Sequence, residues 1–249
     1  MNNKDLITAH VLAEALDLSV ETIWRYTRND KIPYVKLGER QYRYNLQEVM
    51  AALTGENLRE KAPDYITDSR SYTYQDYLAL PEEPGVRYEV LDGQLIQDPA
   101  PQVLHQSILI KLLLFLAPFF EKYDPKGRTF CAPLDVTLGD RTVVQPDIIY
   151  IPGTRRDIIK ETRIDGAPAL VVEILSPVNR RKDRLLKLKL FQAAGIEHLW
   201  LVDPEDRTVE CMNLRDGAYI LAASGLDDQV LEHPDFPGLS IPLADLWHQ

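Results

Sequence analysis

The sequence predicts a mixed α/β fold, in which a central sheet is flanked by helices, with a small separate domain at the N-terminus. Short apolar strands alternate with helical segments after residue 72. Two of these strands, Val143–Ile151 and Ala169–Leu175, each contain one carboxylate, Asp147 and Glu173 respectively. Before residue 57, short helical patterns lead into a basic hairpin instead. We therefore expect two domains.

The boundaries follow from a change in composition. Residues 57–71 are polar and show no periodicity, so we interpret them as a linker between domains at 1–56 and 72–249. With 249 residues, of which 45% are hydrophobic, the chain can form a substantial core in the larger domain. The formal net charge of −10 disfavours nonspecific nucleic-acid binding by the chain as a whole.

Three features of the chain bear on its compartment. The two cysteines, Cys131 and Cys211, lack metal-ligand spacing, which disfavours a zinc site or a disulfide framework. The N-terminus has no signal-peptide pattern. The longest apolar run, Ile108–Phe120, is too short to span a bilayer and is more typical of a buried helix. We expect a cytoplasmic protein.

The N-terminal domain begins with two short helices. Apolar residues at helical spacing predict the first helix from about Ile7 to Leu16, with Thr8 as its cap. Ser19 is a good N-cap for the second helix, Val20–Arg28. The expected buried face of this second helix consists of Val20, Ile23, Trp24 and Thr27.

A basic hairpin follows the two helices. Residues 34–37 and 41–44 predict two strands around a turn at Gly38-Glu39. Asn45 and Glu48 then have the spacing of a capping box for a third helix that ends near Gly55. From residue 25 to residue 43 there are six Lys/Arg against two Asp/Glu. This order is the plan of a winged helix-turn-helix with a local positive patch.

The run LSVETIWRYTRNDKIPYVKLGERQYRYNLQEV resembles the excisionase-type, MerR-like DNA-binding domain. The resemblance implies that the second helix enters the major groove and that the hairpin follows the DNA backbone. The residues expected on DNA are Thr22, Arg25, Arg28, Lys36, Arg40 and Arg43. The alternative interpretation is that these are solvated charges on a small packing domain.

The large domain begins with a helix and a hairpin. Thr73 is expected to cap a short helix, Tyr74–Leu80. Two strands flank Asp92-Gly93, a dipeptide suited to a tight hairpin turn. His105 opens an apolar helix that runs to about Tyr123. The remaining predicted elements are strands at 130–138, 143–151, 169–175, 199–203, 208–214 and 218–222, and a basic helix at 179–194.

The carboxylates within the strands suggest a metal site. A buried ionised carboxylate needs a partner, and a divalent cation between Asp147 and Glu173 supplies one. The backbone carbonyl of Ile174 is a further expected ligand, and Glu89 could add a third carboxylate. Such a site can hydrolyse phosphodiesters, because the metal activates water and neutralises phosphate charge. In the alternative interpretations, Asp147 caps a strand end and Glu89 pairs with Arg87.

Several motifs of the large domain resemble one family. These are RYEVLDGQLI, VVQPDIIYI, GAPALVVEILSP and KDRLLKLKLFQAAGIEHLWLVDP, together with a helix-start His105. Their order and spacing are similar to the Uma-two family of restriction-endonuclease-like proteins, within the PD-(D/E)XK nuclease superfamily. The resemblance implies a restriction-endonuclease-like fold and a metal-dependent DNA endonuclease, with Mg²⁺ as cofactor and Mn²⁺ as a substitute.

The resemblance also implies a catalytic lysine. The superfamily pattern has a lysine two residues after the acid, but here that position is Leu175. In the similar family the lysine comes from the next helix, which corresponds best to Lys187, with Lys182 and Lys189 as alternatives. Another interpretation makes Lys187 a surface residue paired with Asp183.

Phosphate contacts are possible for His105, Arg180 and Arg184, although a structural histidine and a solvated helix face are the alternatives. The expected partners are double-stranded DNA and a second copy of the chain, since cutting both strands favours twofold symmetry. A different function also fits the sequence: a non-catalytic DNA-binding regulator that uses a nuclease-like fold for dimerisation or partner contacts. Leu175 and the acidic large domain favour that alternative.

Overall fold

The computed structural model describes residues 6–16, 18–28, 31–38, 41–46, 49, 70–81, 86–99, 101–175 and 183–247. The chain divides into two compact units, Met1–Ala62 and Pro63–Gln249. Each unit has its own hydrophobic core. The domain boundaries and linker expected from the sequence remain predictions.

The N-terminal unit has short helices and a small antiparallel sheet. Its elements are β1 (Leu6–Ile7), α1 (Ala9–Ala15), α2 (Val20–Arg28), β2 (Val35–Gly38) and β3 (Gln41–Asn45), with sheet order β1-β3-β2. The Ser19 hydroxyl accepts a hydrogen bond from the Thr22 backbone N–H at 3.1 Å, as expected for an N-cap. The third helix expected near residues 46–55 falls largely outside the described residues.

The core of this unit fixes the orientation of α2. Ile23 and Thr27 are buried, and the Thr27 hydroxyl bonds the Ile23 carbonyl at 2.8 Å and the Tyr44 hydroxyl at 2.9 Å. Trp24 was expected on the buried face, but its side chain is 45% exposed and meets His10 edge-on. The prediction for Trp24 was wrong because the buried stripe follows Ile23 and Thr27, and Trp24 lies one helical step to the side.

The large unit is a mixed α/β fold, as predicted. Its first elements are α3 (Tyr74–Leu78), β4 (Val86–Leu91), β5 (Gln94–Pro99), α4 (Val103–Tyr123), β6 (Arg128–Cys131), β7 (Val136–Thr137), β8 (Val143–Val144), β9 (Ile148–Ile151), a 3-10 segment at Gly153–Ile158, β10 (Ile164–Asp165) and β11 (Leu170–Ile174). The remaining elements are a π-helical turn at Asp183–Lys187, α5 (Leu188–Ala194), β12 (His198–Asp203), β13 (Thr208–Arg215), β14 (Ala218–Leu226), β15 (Val230–Glu232), β16 (Ser240–Pro242) and α6 (Ala244–Trp247).

The strands form two main sheets. One has five strands in the order β10-β7-β8-β4-β5, and the other has six in the order β14-β13-β12-β11-β9-β6. In the six-stranded sheet β11 is parallel to β12 and antiparallel to β9. The strands predicted at 130–138 and 143–151 are each broken into two pieces that belong to different sheets. Pro133 and Pro146 lie at the breaks, since proline has no N–H for a strand ladder.

Helices cover both faces of the six-stranded sheet. Leu170, Val172 and Trp200 pack in one core with Leu112 and Leu116 of α4. The alternating residues Val171 and Leu199 face a second core, in which Phe191 of α5 is buried. The sheet is therefore the middle layer between α4 and α5.

Helix α4 extends beyond the apolar run seen in the sequence. It has 21 residues and, among the described residues, is the one helix long and apolar enough to cross a membrane by length and composition. Its buried residues, which include Ile108 and Phe120, contribute to the core of the large unit. This packing agrees with the prediction of a buried helix.

Candidate active site

Three charged side chains are buried together beside the second core. On β11, Glu173 lies between Val171 and Leu175 on the face toward α5, and it is 2% exposed. On β4, Glu89 is fully buried, two positions before Leu91 of the same core. Lys187, at the end of the π-helical turn, is 1% exposed. Burial of such groups is costly unless they are paired.

Lys187 links the two glutamates. Its Nζ donates to Glu173 Oε1 at 3.0 Å and Oε2 at 2.9 Å, and it lies 3.0 Å from Glu89 Oε1. The side chain therefore points back over the sheet, as the site predicted from the sequence requires. Lys189, one of the two alternatives, is exposed, and Lys182 lies outside the described residues.

A short crossover between the two sheets supplies the next carboxylate. Strand β8 belongs to the five-stranded sheet and β9 to the six-stranded sheet, with three residues, Gln145 to Asp147, between them. The Gln145 backbone N–H donates to Glu89 Oε1 at 2.9 Å. Asp147 Oδ2 accepts from the Ile174 backbone N–H at 2.7 Å, next to Glu173. The crossover is therefore hydrogen-bonded both to Glu89 of β4 and to the backbone of β11 next to Glu173.

Asp147 also contacts two basic side chains. His105 Nε2 lies 3.2 Å from Asp147 Oδ2, and Arg87 NH1 lies 3.9 Å from Oδ1. Asp147 Oδ1 is buried and accepts no hydrogen bond from any described group. His105 therefore orients the carboxylate in this structure, and the phosphate contact considered for it from the sequence remains a prediction.

Arg87 was not predicted as a site residue. Burial lowers its pKa, but attraction to Glu89, Asp147 and Glu173 outweighs this effect and raises the pKa above its ordinary value. The guanidinium is therefore a permanent positive charge beside the carboxylates. Alternation along β4 could have revealed it, because residues 87 and 89 of a strand lie on the same face.

The donor atoms fit a hard divalent cation. Asp147 and Glu173 offer carboxylate oxygens, which Mg²⁺ prefers, and Asp147 Oδ1 is a buried acceptor that receives no hydrogen bond from a described group. Within the described ranges, no three His, Cys, Asp or Glu side chains are grouped as a metal cluster. A bound ion would therefore need backbone, water or phosphate oxygens as well. The Ile174 carbonyl, predicted from the sequence as a further ligand, is one such oxygen.

The structure describes five of the six residues predicted on DNA, and three of these are exposed. Arg25, Arg28 and Lys36 are exposed. Thr22 is half-buried and shares a hydrogen bond with the Ser19 hydroxyl, and Arg43 is half-buried with NH1 donating to the Tyr42 carbonyl at 3.0 Å. Arg40 and Arg180, and the side chain of Arg184, lie outside what the structure describes.

A shallow concavity of about 390 Å³ marks the exposed face of α2. Thr22, Trp24, Arg25 and Arg28 line it, together with Glu21. Arg25 and Arg28 on this face combine a cationic group with direct access from solvent, and the half-buried Thr22 adds a hydroxyl. Such groups are typical contacts to phosphate and base edges.

The fold and the buried acid–lysine cluster define a nuclease-like α/β domain, which a helix-turn-helix domain precedes. Residues 74–244 match the Uma2 family, described as "Putative restriction endonuclease", and residues 6–57 match a helix-turn-helix domain family. The chain belongs to the Uma2 family. The resemblances stated from the sequence are thereby confirmed.

A solved structure supports the nuclease-like fold. The chain is similar to a "putative nuclease belonging to DUF820" from Anabaena variabilis ATCC 29413, with 25% identity and a TM-score of 0.57. The similarity covers 70% of this chain and 97% of that chain. No curated protein matches the chain.

Proposed function

We propose that the protein is a metal-dependent DNA endonuclease that its helix-turn-helix domain targets to DNA. The observation that carries the proposal is the buried cluster of Glu89, Glu173 and Lys187 beside Asp147. Buried ionic groups are expensive, and their cost is more readily explained by chemistry than by stability. Membership of a restriction-endonuclease family supports the same conclusion.

Asp147 and Glu173 would hold the metal, Mg²⁺ or in its place Mn²⁺. When bound, the ion supplies an activated water and neutralises charge on the phosphate oxygens. The unpartnered Asp147 Oδ1 supports this role, because it is a buried acceptor that no described group satisfies. The hydrogen bond from the Ile174 N–H and the contact with His105 Nε2 at 3.2 Å hold the same carboxylate in place.

The remaining residues have separate roles. The Lys187 ammonium would orient the attacking water and stabilise negative charge on the phosphate, while Glu89 keeps that ammonium next to Glu173. Arg87 would contact the phosphate, since its charge is permanent and its NH1 is 3.9 Å from Asp147. The contacts among these side chains support each proposed role.

The proposal extends to partners and location. On α2, Thr22, Arg25 and Arg28 would contact double-stranded DNA in the major groove, and Lys36, Arg40 and Arg43 would contact its backbone. We propose a cytoplasmic homodimer, because two half-sites and two scissile strands favour twofold symmetry. Sedimentation of the full chain with and without a DNA duplex measures the oligomeric state.

The test is cleavage of supercoiled plasmid. Wild-type protein is expected to nick or linearise it with Mg²⁺ or Mn²⁺ and to leave it intact with EDTA. Glu173→Gln and Asp147→Asn are each expected to lower the rate by about 100-fold or more. Glu121→Gln removes an exposed carboxylate of α4 and serves as the matched control. Metal-dependent cleavage that persists in both site variants would contradict the proposed nuclease site.

One observation favours a second function, a non-catalytic DNA-binding regulator. Lys187 already bonds both oxygens of Glu173, so this carboxylate has a cationic partner without a metal. A thermal-shift titration with Mg²⁺ separates the two functions, because a ligand that binds the folded state raises the Tm. Stabilisation that Glu173→Gln removes supports the nuclease, and its absence in the wild type supports the regulator.

A further inference from the structure

A cleft of about 560 Å³ is lined by Arg87 and Gln145, two residues that contact carboxylates of the candidate active site. Aromatic and proline side chains form part of its wall, including Tyr77, Tyr88 and Pro133. Its polar lining includes Arg87, Gln106, Asp135 and Gln145. The volume is in the range of pockets that hold small ligands, which typically combine apolar walls with a few convergent polar groups.

Two lining residues connect the cleft to the candidate active site. The Gln145 side chain lines the cleft, while its backbone N–H donates to Glu89. Arg87 lines the cleft as well, and its NH1 lies 3.9 Å from Asp147 Oδ1. A group in the cleft is therefore adjacent to any phosphate that Arg87 binds.

A hydrogen-bonded triad sets the polarity of the cleft. The Tyr77 hydroxyl donates to Asp135 Oδ1 at 2.7 Å, and Gln145 Nε2 donates to both of these oxygens, at 3.0 and 2.8 Å. Burial, and then the bond to Asp135, raise the pKa of Tyr77, so its hydroxyl keeps the proton that it donates. The triad therefore has a fixed donor pattern.

The triad leaves acceptors free. The Tyr77 hydroxyl donates its proton within the triad, and the Gln145 side-chain amide donates both of its protons there. Among the described residues, none donates to Asp135 Oδ2 or to Gln145 Oε1. A ligand that suits these two oxygens has to bring hydrogen-bond donors, and a second negative charge beside Asp135 is unfavourable.

We propose that this cleft binds one unstacked nucleobase of the DNA substrate, next to the phosphate that is cut. The proposal rests on the endonuclease function proposed above and names the substrate class: DNA with an extrahelical or easily extruded base. A base is flat and apolar on its faces, which suits the aromatic and proline walls, and carries donors on its edge. Arg87, at the boundary between cleft and carboxylates, matches the attached phosphate.

The triad also predicts which bases are preferred. Asp and Glu side chains accept hydrogen bonds from exocyclic amino groups. Guanine presents an amino group and a neighbouring ring N–H on its pairing edge, whereas thymine presents a single ring N–H. Guanine is therefore expected to bind better than thymine.

The experiment compares three fluorescein-labelled DNA duplexes of the same sequence by anisotropy, in EDTA so that nothing is cut. One is fully paired, one has a single unpaired guanine, and one has a single unpaired thymine. The helix-turn-helix domain contributes equally to all three, so differences between them report on the cleft. The wild type is expected to bind the unpaired-guanine duplex about tenfold more tightly than the paired one, with the thymine duplex in between.

Variants assign the difference to the cleft. Asp135→Asn replaces an acceptor oxygen by a donor of the same shape, and Tyr77→Phe removes only a hydroxyl. Either is expected to reduce the guanine preference to about twofold or less, without changing affinity for the paired duplex. Asp140→Asn removes an exposed carboxylate nearby in sequence, and it should keep the full preference.

The outcomes distinguish this inference from the proposed function. Equal affinity for all three duplexes, or a guanine preference that persists in both Asp135→Asn and Tyr77→Phe, overturns the cleft assignment even if the protein cuts DNA. Displacement of the guanine duplex by free dGMP at matching affinity overturns the DNA substrate and indicates a mononucleotide pocket. A preference that depends on Asp135, without cleavage of any duplex in Mn²⁺, supports the cleft and contradicts the nuclease.

Discussion

The two units of this protein use charge in opposite ways. In the N-terminal unit, Arg25, Arg28 and Lys36 are exposed to solvent. In the large unit, Glu89 and Glu173 are at most 2% exposed and share the ammonium of Lys187. An exposed cation costs little and remains free to meet a partner, whereas a buried ion pair must be held in one geometry. The charge on the first unit is therefore accessible to a partner, whereas the charge in the second is fixed within the structure.

The difference also concerns what each substitution disrupts. Removing an exposed arginine changes long-range attraction and leaves the fold as it was. Removing one member of a buried cluster leaves its partners charged and unpaired in an apolar environment. Stability measurements on matched variants therefore test whether the two units differ in this way.

The largest effect is expected for Lys187→Met. This change leaves Glu89 and Glu173 buried without their ammonium, so the free energy of unfolding should fall by about 3–5 kcal/mol. Urea denaturation at neutral pH measures it. Lys189→Met, two positions later on an exposed side of the helical segment, is the control and should change stability by about 0.5 kcal/mol or less. A similar small change for both variants would contradict the pairing seen in the structure.

A smaller effect, dependent on pH, is expected at His233. This side chain is 3% exposed and stacks on Trp200 and Phe236. Burial, and then repulsion by His198, lower its pKa from 6.5 to about 4. At a pH between these two pKa values, this ring is therefore protonated in the unfolded chain and neutral in the folded chain. The stability contribution is present at neutral pH and is lost as the pH falls from about 6.5 toward 4.

The comparison for His233 uses His233→Asn, whose side-chain oxygen can still accept the bond from the Asp235 backbone N–H. Between pH 7 and 4.5 the wild type should lose about 2 kcal/mol more of its unfolding free energy than this variant. His10→Asn, at an exposed site of the N-terminal unit, should retain the wild-type slope. Parallel pH profiles for wild type and His233→Asn would show that the ring titrates normally.

The smallest effect on stability is expected for Arg25→Ala. The exposed guanidinium lies over the Tyr26 ring, 5.6 Å from its centroid, so the free energy of unfolding should change by about 0.5 kcal/mol or less. DNA affinity should fall nonetheless, and the dependence of log K on log salt should become shallower by about one. Anisotropy at several salt concentrations measures both, with Lys122→Ala on α4 as a control in the other unit. If the dependence of log K on log salt is unchanged in Arg25→Ala, Arg25 does not contact the DNA phosphates.

Much of the site was predictable because it relies on local patterns. Glu173 stood out as a lone acid in an apolar strand, and the hairpin at Asp92-Gly93 has the positive φ values that its dipeptide predicts, 50° and 82°. Lys187 followed from a family resemblance, and the structure places it on both glutamates. The roles of these residues in catalysis remain predictions.

What could not be predicted depends on contacts between distant segments. Tyr77, Asp135 and Gln145 are up to 68 positions apart in sequence, and no periodicity connects them. The division of the strands into two sheets depends on how each side of Pro133 and Pro146 pairs, which a single sequence does not reveal. Trp24 was wrongly predicted to be buried. An apolar residue at the edge of a helix's apolar stripe fits the helical periodicity whether or not another element packs on it.

The three-residue crossover from Gln145 to Asp147 limits where the chain can accommodate an insertion. Gln145 anchors Glu89 in one sheet, and Asp147 anchors the strand of Glu173 in the other. Insertions in exposed hairpin loops lengthen the chain without altering the cluster. One extra residue between β8 and β9 would instead reverse which side of the strand each following residue occupies. Changes of loop length around the sheets therefore leave the cluster intact, whereas a change in the length of this crossover would disrupt it.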